Sequence, residues 1–69
     1  MNKWYVIKLS EENKKKYNEI NNFVICKYYE GLEKRISSYD DTTVLVTTSI
    51  EIAESTKKAL DEQLRKQSN

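Results

Sequence analysis

Asn21-Asn22-Phe23-Val24-Ile25-Cys26-Lys27-Tyr28-Tyr29-Glu30-Gly31 is the stretch on which the fold turns. On one side of it lie Tyr17 and Ile20; on the other lie Leu32, Ile36 and Tyr39. With Val24 and Tyr28 in between, these residues are spaced three or four apart, the period of one face of an α-helix. Ile25 and Tyr29 widen the stripe, while Lys15, Lys16, Glu19, Cys26, Glu30, Glu33 and Ser37 fall opposite. Read this way, one helix runs from about Glu11 to Ser38, with a possible kink near Asn21 or Gly31. The rival reading breaks the helix at Asn21-Asn22, makes Phe23 to Tyr29 a strand and turns at Glu30-Gly31, because aromatic and β-branched residues favour strands. The continuous phase of the stripe favours the helix.

Outward from that segment the elements are plainer. Trp4 to Leu9 reads as a strand, with Tyr5, Ile7 and Leu9 on one face and Trp4, Val6 and Lys8 on the other. Ser10 is placed to cap a helix, with Glu11 and Glu12 in the first turn, where the helix dipole favours negative charge. Asp40-Asp41 reads as a turn. Thr42 to Thr48 reads as a second strand. Thr48 or Ser49 then caps a last helix whose Ala53, Leu60 and Leu64 face inward; if the strand runs on to Ile52, Ser55 is the cap. Gln67-Ser68-Asn69 should fray. The expected fold class is α+β: a small two-layer domain in the order strand, long helix, strand, helix. Its two-stranded sheet is expected to be extended by dimerisation. A strand–helix–strand unit normally gives parallel neighbours. Ile7, Ile20, Val24, Leu32, Val46 and Leu60 are the expected core.

The composition excludes more than it identifies. The 69 residues include no histidine, no proline, one glycine and one cysteine. Without histidine, Ser10, Ser37, Ser38 and Ser49 lack the usual base that activates a serine. Cys26 alone makes neither an intrachain disulfide nor a zinc site. No glycine-rich loop follows a strand, so no phosphate cradle is expected. No enzyme, cofactor or metal is expected. Charged residues make up 33% of the chain and the mean hydropathy is −0.83. The longest apolar run, Phe23 to Cys26, is far short of the roughly 20 residues that span a bilayer. An unpaired cysteine, and an opening Met1-Asn2-Lys3 that leads into no export signal, suggest a soluble protein in the cytoplasm.

Size points to association. A chain this short gains only on the order of 3–5 kcal/mol from its core. A continuous Glu11–Ser38 helix would be roughly 42 Å long and would outrun a strand of about 23 Å. Its apolar stripe would then need another chain to cover its C-terminal half. The candidate partner-binding residues are therefore Trp4, Tyr29, Ile36 and Tyr39, large side chains of the kind enriched at interface hot spots. The expected partners are a second copy of the chain, as a homodimer, and an unidentified larger protein. The expected function is a non-catalytic regulator, adaptor or inhibitor. Short accessory proteins of this kind are often carried by phages and mobile elements.

The alternative is a dimeric nucleic-acid-binding regulator. Lys3, Lys8, Lys14, Lys15 and Lys16 interleave with Trp4, Tyr5 and Tyr17, a mix of cations and rings that suits phosphates and bases. The net charge of +1 supplies no bulk attraction. Val6-Ile7-Lys8-Leu9-Ser10-Glu11-Glu12-Asn13-Lys14 resembles the strand-then-helix opening of ribbon-helix-helix DNA-binding proteins. That resemblance implies a strand paired across a dimer, Asn21-Asn22 as the turn between two helices, and Trp4 and Val6 at base-reading positions. The strand and helix after Tyr39 exceed that fold. Lys3-Trp4-Tyr5-Val6-Ile7-Lys8 is also similar to the first strand of the NusG N-terminal domain.

Overall fold

The continuous helix is not formed. In the structure, a computed structural model that describes residues 2–67, the segment breaks into a helix, a strand and a helix. The order is β1 (Trp4–Lys8), α1 (Glu11–Lys16), β2 (Phe23–Lys27), α2 (Leu32–Ser38), β3 (Thr42–Thr47) and α3 (Ile50–Gln67). The break is local chemistry. After α1, Asn18 takes a left-handed conformation with φ of 53°. Glu19 N–H donates to the Lys14 carbonyl at 2.8 Å and Asn18 N–H to the Lys15 carbonyl at 3.3 Å. That pair of bonds closes the last turn and turns the chain away; asparagine is one of the few residues that accept this geometry. Ile20, which the stripe reading made core, is instead 87% exposed.

The freed run Phe23–Lys27 pairs antiparallel with β1, Trp4 opposite Lys27 and Lys8 opposite Phe23. β3 pairs with the other edge of β1, also antiparallel, giving the order β2-β1-β3. The sheet is thus three-stranded and antiparallel within one chain, where two strands in a parallel unit were expected. The Glu11–Ser38 helix whose overhang argued for association is replaced by α1, β2 and α2, so that argument lapses. The ribbon-helix-helix implication fails for the same reason: β1 is the central strand, and Val6 is fully buried rather than free to read a base.

Helices cover both faces of the sheet, giving three layers where two were expected. Tyr5 and Ile7 face α2 and cluster with Leu32 and Ile36, flanked by Leu9, Val24 and Cys26. The alternate residues Val6 and Phe23 point the other way and are buried, as is Ala53 of α3, a helix that lies against all three strands. The small alanine lets α3 approach the sheet closely. Of the expected core, Ile7 and Leu32 are buried and Val24 and Leu60 half-buried. Val46 is 45% exposed on the outer strand.

Three turns hold this arrangement. Ser10 caps α1, its hydroxyl accepting from the Asn13 N–H and donating to the Tyr39 carbonyl at 2.8 Å. The Asp41 carboxylate accepts from the Ser10 N–H at 2.7 Å and from the Asn13 amide at 2.8 Å, which ties the start of α1 to the start of β3. Gly31 opens α2 with φ of 95°, a conformation that side chains disfavour. Ser49 caps α3, its hydroxyl accepting from the Ile52 N–H; neither Thr48 nor Ser55 takes that role. Of the three residues expected to fray, Gln67 is the last residue of α3, and Ser68 and Asn69 lie outside the described residues.

Candidate functional site

One α-helix cannot roof a three-stranded sheet. α2 packs its Leu32 and Ile36 over the middle strand, and a groove of about 260 Å³ remains between α2 and β2. Its floor is apolar, with Val24 and Cys26 from β2 and Leu32 and Ile36 from α2. Its rim is aromatic and cationic, with Tyr29, Arg35 and Tyr39. The Arg35 guanidinium donates to the Tyr29 hydroxyl at 3.1 Å and stands 5.6 Å from the centre of the Tyr39 ring. The Tyr29 hydroxyl holds the guanidinium charged, its pKa above the ordinary value. Lys16, from the last turn of α1, sits 5.4 Å from the Tyr39 ring and 5.6 Å from the Tyr17 ring. Among the described residues the ion pairs are Glu11–Lys14 and Lys57–Asp61, so neither Arg35 nor Lys16 has a carboxylate partner within 4.0 Å.

Tyr28 extends the rim along the sheet. Its ring stacks on that of Tyr5 with centroids 5.9 Å apart, and it remains 46% exposed; Tyr29 is 41% exposed. The arrangement presents partly exposed aromatic rings, with the Tyr29 and Tyr39 hydroxyls engaged by Arg35 and Tyr17, around a cation with unfilled donors. Chemically, such a surface offers apolar contact and charge-assisted guanidinium N–H donors.

The structure brings together three of the four residues singled out for partner contact. Tyr29 and Tyr39 form the rim. Ile36 is buried by its own chain and forms part of the floor, so it supports the site without being exposed at it. Trp4 points to the opposite face of the sheet with Val6, half-buried, and takes no part in the groove. Arg35 and Tyr17 were not singled out. Arg35 stands four residues before Tyr39 on the same helix, and its role becomes visible only once α2 is a short separate helix with a free flank.

The five lysines do not make one surface. Lys3 and Lys8 flank β1 at opposite ends, roughly 16 Å apart along the strand. Lys14 is engaged by the Asn22 side chain at 2.6 Å and by Glu11 at 3.9 Å. Lys15 is exposed, and Lys16 is turned to the two tyrosines. Cys26 is a free thiol, half-buried, and its sulfur donates to the Lys27 carbonyl at 3.4 Å. Among the described residues no cluster of three or more acids and cysteines is arranged to hold a metal ion, and no helix is long and apolar enough to cross a membrane.

No family model matches this chain, and neither does any curated protein or solved structure.

Proposed function

We propose that this chain is a non-catalytic protein-interaction module, a regulator, adaptor or inhibitor of a larger protein, and that the groove between β2 and α2 is its contact surface. The observation that carries the reading is the rim: two partly exposed tyrosines and an arginine with no carboxylate partner among the described residues, set over an apolar floor. Tyrosine and arginine are the residue types that contribute most at interfaces, and they do so around pockets of this kind. The free thiol of Cys26 fits a protein that works in a reducing compartment, the cytoplasm.

One observation favours a second reading, a nucleic-acid-binding regulator. Lys16 lies over Tyr17 and Tyr39, a cation-and-ring pairing that also suits a phosphate beside a stacked base. One comparison separates the two. Immobilised wild-type protein and an Arg35→Glu variant of unchanged circular dichroism are exposed to source-cell lysate and, separately, to bulk DNA and RNA over a salt series. The module reading expects a defined protein to be retained by the wild type and lost on Arg35→Glu, with no nucleic-acid affinity. Retention that ignores Arg35 would place the contact surface elsewhere on the molecule. Affinity for bulk DNA or RNA that falls steeply with salt replaces the module with the second reading.

A further inference from the structure

We infer that the open edge of β2 pairs with the β2 of a second copy, antiparallel about a two-fold axis, to make one six-stranded sheet with the two α3 helices side by side beneath it. This goes beyond the proposed function, since it names what lies at the strand edge and leaves the groove on the α2 side for another partner.

The two sheet edges differ. In β3 the pairing slips: Val6 faces Leu45 and Ile7 faces Thr43, so Val44 is an extra residue that bulges the strand. A bulge is one of the devices by which proteins blunt an edge against pairing. β2 has no slip over its five residues. It also carries no charge until Lys27. The bonds that bracket its pairing with β1 are Leu9 N–H to the Asn22 carbonyl and Tyr28 N–H to the Lys3 carbonyl, both 2.8 Å. Backbone groups alternate sides along an antiparallel strand. Val24 and Cys26 therefore bond β1, while Phe23, Ile25 and Lys27 turn their N–H and C=O groups outward. That edge is regular and unblocked.

The choice of a second copy comes from charge. On the α3 face, the flank beside Ile25 carries Glu54, Lys58, Glu62 and Arg65, all exposed. Among the described residues none of the four is in an ion pair; the neighbouring Lys57 and Asp61 are paired with each other at 2.7 Å. Along the helix the signs run minus, plus, minus, plus. A copy rotated by a two-fold axis presents the same row reversed. Glu54 then faces the other copy's arginine, and Lys58 faces the other copy's glutamate, twice over. A copy in parallel register would set like charge on like. The row is thus complementary to itself only in the orientation that antiparallel β2–β2 pairing imposes, as an isologous interface requires. Ile20, the most exposed large apolar side chain, lies beside Leu64 and Arg65 at this same flank.

Sedimentation equilibrium on the purified full chain tests this. The wild type should reach twice 8.2 kDa at high micromolar concentration. Lys58→Glu turns two attractive exposed pairs into repulsive ones and should weaken dimerisation roughly tenfold. The exchange Lys58→Glu with Glu62→Lys should restore it to within about threefold of the wild type, because the row is again self-complementary. Lys27→Pro removes an outward N–H without touching the β1–β2 ladder and should also weaken the dimer. A wild type that stays monomeric overturns the inference, as does a dimer equally tight in Lys58→Glu and Lys27→Pro. Because only purified protein is used, either outcome leaves the groove reading to its own experiment.

Discussion

Tyr17 and Tyr39 hold the same position in two different helix ends, and their rings meet edge to face, with centroids 6.4 Å apart and planes at 89°. Tyr17 is the last half-helical residue of α1 and Tyr39 that of α2. Each is followed by a residue of positive φ, Asn18 at 53° and Asp40 at 57°. Each end closes with the same bond from two residues beyond the cap, Glu19 N–H to the Lys14 carbonyl and Asp41 N–H to the Ile36 carbonyl. One local stop signal, used twice, delivers two tyrosines to one place.

Their hydroxyls lie 3.4 Å apart. The hydrogen bond with Tyr17, then the charge of Lys16, holds the Tyr39 pKa below the ordinary tyrosine value, while Tyr17 is held above it. Tyr17→Phe should therefore raise the Tyr39 titration toward the ordinary value, followed through the Tyr39 ring signals by NMR. An unmoved Tyr39 would mean that the cations alone set its acidity.

Tyr5 donates its hydroxyl to the Glu33 carboxylate at 2.8 Å, tying β1 to α2. That bond, aided by burial, raises the Tyr5 pKa above 10.0. A raised pKa means the folded state keeps its proton where the unfolded state has lost it. The stability from this bond is complete below the unfolded value, about 10, and is lost as pH rises through the folded value. Tyr5→Phe should lower the denaturation midpoint at neutral pH and flatten its alkaline decline. A decline of unchanged steepness in Tyr5→Phe would assign it to other groups.

Gly31 sits at φ of 95° with nothing within 4 Å of where a Cβ would stand. Gly31→Ala should thus cost backbone strain alone, roughly 1–2 kcal/mol, without a clash. For a chain whose core supplies only a few kcal/mol this is a large loss. Urea unfolding measures it. A loss near zero would mean that the turn relaxes to negative φ and that the start of α2 does not depend on glycine.

The elements whose signals are local are legible along the chain. Trp4 to Leu9 reads as a strand, Ser10 and the two glutamates announce α1, Asp40-Asp41 marks a turn, and Thr48, Ser49 or Ser55 announces the last helix. Each depends on residues within one turn or one strand of each other. The sequence also places Tyr29 and Tyr39 among the residues worth following, since large amphipathic rings on so small a chain need a use. What tertiary structure alone decided is the state of Phe23–Lys27. Those five residues fit both a helical stripe, which the spacing favours, and a strand, which their residue types favour; β1 settles the matter by offering a full ladder of backbone bonds and two covered faces at once. A helix there could bury only one side of a run that is apolar all round. With that choice made, α2 becomes short, the groove opens beside it, and Arg35 comes to stand between Tyr29 and Tyr39. Those three residues meet because two helix ends and a sheet edge converge, a relationship between distant segments that no spacing along the chain encodes.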